Sequence, residues 1–349
     1  MRSQMLTALA VAAVAILLRP DITAAAAPPK PLFASDAVMS LTLRGPLTNI
    51  SRNAAAKPVA GLLTVGGGAP ESLPVALSAR GITRRKWETC SFPPLRVEFT
   101  QKPPATSVFK GQKRLKLVTH CQEAEGHQEH VLLEYAAYRL YAALTPESFG
   151  ARLARIDYLN DSGGKIASRY GFFIEDVDDV ARRNGQVRLR KVQRISPSQL
   201  DPAGAARFAV FQYMIGNLDW SMLAGPKGED CCHNSRLLGL KGATSALVPT
   251  PYDFDFSGLV NAPYALPPEG LPVATVRERH YRGLCRDNAQ AMAFAAGLAA
   301  RRASLTGILQ TIPQIEDGAR RGATRYLDAF FDQAGAPDRV AKFLKTCSG

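Results

Sequence analysis

The sequence predicts an α+β fold of two lobes, the first rich in strands and the second helical. Three observations lead to it. Alternating apolar runs recur between Leu73 and Val177, interrupted by one helical stretch. Helical spacing of apolar residues then dominates from Asp287 onward, punctuated by Pro313, Gly335 and Pro337. Between these regions, residues 208–258 deliver acidic and amide side chains to the ends of apolar elements. A hydrophobic fraction of 46% over 349 residues supports a real core and excludes wholesale disorder.

Residues 1–27 read as an export signal. Arg2 is the positive start, Met5 to Leu18 the apolar centre, and the small residues before Pro28-Pro29 offer cleavage near Ala25 to Ala27. No later stretch reaches the roughly 18 consecutive apolar residues of a membrane helix. The mature chain is therefore expected in a periplasm or outside the cell, with no integral membrane segment. Residues 28–72, rich in Ala, Pro and Gly, read as a linker with one possible strand at Val38 to Leu43. Gly66-Gly67-Gly68 marks a turn and lacks the strand–GxxxxGK–helix setting of a phosphate loop.

The first lobe is assigned to residues 73–180. Its strands are Leu73–Ala79, Leu95–Phe99, Leu115–Val118, Leu153–Leu159 and Ala167–Val177, with a helix over Glu129–Leu144. Asp178 to Arg183, acidic first and basic last, suits a short helix. The second lobe, residues 181–349, opens with a helix over 197–216 that Ser196 or Asp201 could cap. Four helices end the chain: Asp287–Arg301, Ser304–Thr311, Asp317–Ala334 and Pro337–Leu344.

Six cysteines follow the leader, and an even number in an exported chain favours disulfides. Cys90 is expected to pair with Cys121. Cys231 and Cys232 are expected to tie their loop to distant segments, because a bridge between neighbours strains the peptide. The formal charge of +13 attracts anionic partners. Its basic residues are dispersed and not interleaved with aromatics, so no nucleic-acid partner is expected.

Within 208–258, an apolar helix reaches the Gly216-Asn217 turn and presents Asp219. His233-Asn234 opens a second element, and a third ends in Tyr252-Asp253-Phe254-Asp255. Phosphoryl transfer needs such a set: one carboxylate beside the attacking hydroxyl, with an Asn and an Asp holding metal on the phosphates. Hydrolase chemistry is not indicated. Ser221 lacks a G-x-S-x-G elbow, and His120, His127 and His130 lack the H-E-x-x-H spacing.

Four motifs in order carry a family resemblance: Arg80-Gly81-Ile82-Thr83-Arg84; Tyr170-Gly171-Phe172-Phe173-Ile174-Glu175; Gly216-Asn217-Leu218-Asp219-Trp220 with His233-Asn234; and Val248 to Asp255. Over roughly 73–260 the chain resembles the CotH kinase family, the spore-coat protein kinases of the atypical secreted branch. The resemblance implies a two-lobed protein-kinase-like fold that uses ATP or another nucleotide with Mg²⁺ or Mn²⁺. It implies Asp219 as the catalytic carboxylate, Asn234 as a ligand of the second metal, and Asp253 as a metal ligand with Asp255 its close alternative. Lys116 or Arg96 would contact phosphates, Glu134 would pair with Lys116, and Glu175 would lie in the nucleotide-holding segment between lobes.

Two departures stand out. The loop 220–233 separates Asp219 from Asn234, and Pro93-Pro94 replaces basic residues ahead of the second strand. The expected function is an exported phosphotransferase acting on a protein hydroxyl. Nucleotidyl transfer by the same residues, and a non-catalytic envelope or surface binding protein, are the alternatives.

Overall fold

The structure, a computed structural model, describes residues 27–53, 57–67 and 70–348. The export signal therefore lies outside the described residues, apart from Ala27, as does Gly68 of the glycine turn.

Seven strands form a closed barrel: β1 (Met39–Arg44), β2 (Val59–Val65), β3 (Glu71–Ala79), β4 (Leu95–Phe99), β5 (Arg114–Val118), β6 (Ala151–Leu159) and β7 (Lys165–Ile174). Their order around the wall is β1-β2-β3-β4-β5-β7-β6. Every neighbouring pair is antiparallel except β1 and β6, which run parallel and close the ring, with Leu41 opposite Ile156.

This barrel overturns the two-lobed kinase-like fold. The physical reason lies in the stretch read as a linker. Residues 28–72 supply β1, at the possible strand Val38 to Leu43, and also β2 and the short helix α1 (Leu47–Asn53), where small residues obscure the alternation. Closure joins strands far apart in sequence, which local periodicity does not reveal, and it removes the free edges of an open sheet.

Alternation fills the barrel. Leu41, Leu43, Val75, Leu77, Val97, Leu115, Leu117 and Ile156 share the interior cluster. β7 is buried on both sides: Phe173 points into the barrel while Phe172 joins a second, larger core outside it. Against that outer wall pack α2 (Gln128–Ala142) and then α4 (Pro202–Ile215), both buried over most of their surface. Asp201 caps α4, accepting from Gly204 N at 2.6 Å, with Pro202 in the first turn. Ser196 instead caps a separate turn at Pro197–Gln199.

A small sheet of β8 (Val187–Arg188), β9 (Ser235–Gly239) and β10 (Val248–Pro251) follows the short helix α3 (Val177–Arg183). α5 (Asn288–Ala300), α6 (Arg302–Gly307), α7 (Asp317–Ala334) and α8 (Pro337–Leu344) complete the outer core. Among the described residues no helix is long and apolar enough to cross a membrane.

Three cysteine pairs lie at disulfide-bonding distance: Cys90–Cys121 as expected, Cys285–Cys347, and the neighbours Cys231–Cys232. The last corrects the expectation of distant partners. Leu284 bridges to Ser348, which sets Cys285 beside Cys347 and leaves the adjacent pair only each other.

Candidate functional site

α4 ends at Gly216, whose φ of 65° is left-handed and whose Cα faces the Tyr326 hydroxyl, so no other residue fits there. The chain then turns through buried Asn217, which accepts from Asp219 N at 3.0 Å and, by its carbonyl, from Trp220 Nε1 at 2.9 Å. Asp219 is thereby fixed at the mouth of a cleft of about 390 Å³. The loop 220–233 folds back on itself: Ser221 N donates to His233 O at 3.0 Å, and His233 N to Ala224 O at 3.1 Å. This return resolves the first departure. Asn234 Nδ2 donates to Asp219 Oδ2 at 2.9 Å, and His233 Nε2 shares a 2.7 Å hydrogen bond with Asp219 Oδ1. The bond to Asp219 raises the His233 pKa against the opposing effect of burial.

Tyr252 N donates to Asn234 O at 3.1 Å, which places the end of β10 beside the same cleft. Asn234 (φ 47°) and Asp253 (φ 64°) both hold left-handed backbones, a conformation that costs non-glycine residues free energy and recurs at functional sites.

Asp253 and Asp255 meet a residue that the sequence offered only as part of a motif. Arg84, buried in the turn Thr83–Arg85, spreads its guanidinium over three carboxylates. Nη2 reaches Asp253 at 2.9 Å, Nε reaches Asp255 at 3.1 Å, and Nη1 reaches Glu134 at 3.2 Å. Glu134 is thus the partner of Arg84, not of Lys116. α2 lies beneath the turn, so Glu134 is covered by Arg84, while Lys116 points from β5 into the cleft. Desolvation pushes the pKa of Glu134 up and that of Asp255 to about 6. For Asp253 desolvation is outweighed by Arg84, Arg80, Lys116 and His233, which together hold its pKa below the usual range.

The opposite wall is cationic. Lys116 Nζ sits 4.5 Å from the centroid of the Tyr252 ring, and the Arg236 guanidinium sits 4.6 Å from the same centroid. Burial, then repulsion from Arg80 and Arg236, lowers the Lys116 pKa to about 7. Arg80 keeps Nη1 buried without a hydrogen-bond partner. Among the described residues, Arg80, Lys116 and Arg236 form no ion pair. From the sequence, Arg80, Arg84 and His233 entered only as motif residues without a role, and Arg236 not at all. The spacing of Arg80-Gly-x-x-Arg84 was the available signal for the first two.

Arg96 and Glu175 do not reach this cleft. Arg96 lies opposite Lys116 across β4 and β5 and lines a neighbouring chamber. Glu175 lines that chamber too, but its carboxylate pairs with Arg183 at 3.1 Å and accepts from Gly150 N at 2.8 Å. It closes the end of a barrel strand and cannot be a segment between lobes.

Glu134, Asp253 and Asp255 each bring an oxygen within 4.8 Å of the others, but those oxygens surround Arg84, whose charge already fills that position. On the cleft side, Asp253 and the Asn234 side-chain oxygen offer oxygen atoms of the hard type that Mg²⁺ or Mn²⁺ takes. In comparisons with known proteins, no family model and no curated protein matches the chain.

Proposed function

We propose that this cleft transfers a phosphoryl group from a metal-bound nucleotide such as ATP to a hydroxyl, the acceptor being a protein. The observation that carries the reading is a single cleft in which Asp219–Asn234 and an ionised Asp253 face three basic side chains that form no ion pair among the described residues. The likeness to CotH kinases is retained as a proposal for these motifs alone, on a barrel scaffold. Three disulfides suit the oxidising compartment that an exported chain would meet.

Asp219 would orient the acceptor hydroxyl and take its proton as the new P–O bond forms. Asn234 and His233 hold that carboxylate in one rotamer, which removes reorganisation from the step. Arg80, Lys116 and Arg236 would neutralise the phosphate oxygens and the departing diphosphate. Bound Mg²⁺ or Mn²⁺ would supply further charge neutralisation, held by Asp253 and Asn234.

Intact-mass measurement of the oxidised protein after incubation with ATP and Mn²⁺ or Mg²⁺ tests the reading. A gain of phosphate that Asp219→Ala and Asp253→Ala abolish supports it; a gain of nucleotide assigns nucleotidyl transfer to the same residues. The alternative of a non-catalytic binding protein draws on Arg84, which engages all three neighbouring carboxylates. It would be favoured by a folded protein that neither gains mass nor binds metal-nucleotide.

A further inference from the structure

β4 and β5 turn Leu95, Val97, Leu115 and Leu117 into the barrel, so the alternate residues face outward. Register places Arg96 opposite Lys116 and Glu98 opposite Arg114 on that outer face. Arg188 of β8 and Arg236 of β9 look onto it from the small sheet, enclosing a chamber of about 160 Å³. Lys116 and Arg236 line both this chamber and the Asp219 cleft, so the two spaces meet at the Tyr252 ring that both cations flank.

The charge of the chamber is unbalanced. Arg114, Lys116 and Arg236 form no ion pair among the described residues. Arg96 reaches Glu98 only at 4.0 Å, and Arg188 reaches Asp178 only at 3.8 Å. The two acids on its wall are engaged elsewhere, Glu175 with Arg183, and Asp176 as the cap that accepts from Asp178 N at 2.9 Å. Such a concentration of like charge repels itself unless an anion enters.

We infer that this chamber is a second anion subsite, built for the phosphoryl group of a small soluble phosphate compound whose other end lies in the Asp219 cleft. At roughly 30 Å³ per water, the space admits one tetrahedral anion with a few waters and excludes a folded segment. Planar guanidinium groups on four strands suit the bidentate capture of phosphoryl oxygens. The subsite stands without the phosphoryl-transfer reading, because it requires only binding.

Titration calorimetry of the full oxidised chain with inorganic pyrophosphate tests it. The double substitution Arg96→Ala with Arg114→Ala removes outward-facing groups whose loss leaves no buried charge unpaired. It is expected to weaken pyrophosphate binding by about tenfold or more. The control substitutes Arg321→Ala with Arg325→Ala at exposed positions of α7, which removes the same charge far from the chamber in sequence. Unchanged affinity in the first variant, or an equal loss in the control, overturns the subsite. Competition by phosphatidic acid vesicles for the same arginines would overturn the assignment to a soluble phosphate. A chain that binds pyrophosphate in this way but never gains mass with ATP would lose only the transfer reading.

Discussion

Arg84 and Arg80 lie one turn apart in sequence and meet opposite fates. Arg84 is buried among three carboxylates and satisfied by each of them. Arg80 shares the cleft with Lys116 and Arg236, and among the described residues none of these three forms an ion pair. The difference separates charge that holds the fold from charge held in readiness for a ligand. A buried ion-pair network is costly to break, whereas an unpaired cation is costly to keep.

That contrast can be broken most directly at Arg84. Arg84→Met would leave three carboxylates crowded without a cation, and a loss of about 3–5 kcal/mol in urea unfolding is expected. Arg80→Met should leave the unfolding midpoint nearly unchanged or raised, while nucleotide affinity falls about tenfold, or about 1.4 kcal/mol, in calorimetry. Equal destabilisation by the two substitutions would erase the distinction.

Lys116 sharpens it through pH. Its free-state pKa of about 7 means that an entering anion returns a proton to the amine. Polyphosphate affinity should therefore fall as pH rises through and above 7, with proton uptake visible as a dependence of binding heat on buffer. Lys116→Met should flatten that dependence. In the free protein the sign is opposite: above pH 7 the unfolded chain binds more protons at this lysine, so its penalty on stability eases as pH rises.

The smallest effect belongs to His233. Its pKa is raised above 6.5 by Asp219, so its contribution is complete below that value and is lost as pH rises through the folded value. Thermal unfolding of His233→Gln should accordingly approach that of the wild type towards alkaline pH. A difference that widened with pH would contradict the assigned pair.

Local signals in the chain foretold local structure. The alternation of Leu73–Ala79 and Leu95–Phe99 became β3 and β4, the Asp201-Pro202 pair became the cap of α4, and Cys90 found Cys121. What escaped depends on contacts between distant segments. Barrel closure couples β1 to β6, and Glu134 chooses Arg84 over Lys116 because α2 passes beneath a turn that no spacing rule locates. Asp219, Asn234 and Asp253, which line one cleft, could be picked out because each borders an apolar element. Their counter-ions were not, since a lone arginine in a turn carries no signal of what will surround it.

The parallel seam between β1 and β6 also bears on how the chain acquires its shape. β2, β3, β4 and β5 can be added one after another as the chain lengthens, but β1 keeps one side unpaired until β6 has been made. Non-local pairing of this kind slows folding, because loop entropy is lost before the contacts are gained. During that interval β1 presents a bare hydrogen-bonding edge, where another copy could dock. The seam between β1 and β6 is therefore a point at which productive folding and aggregation compete.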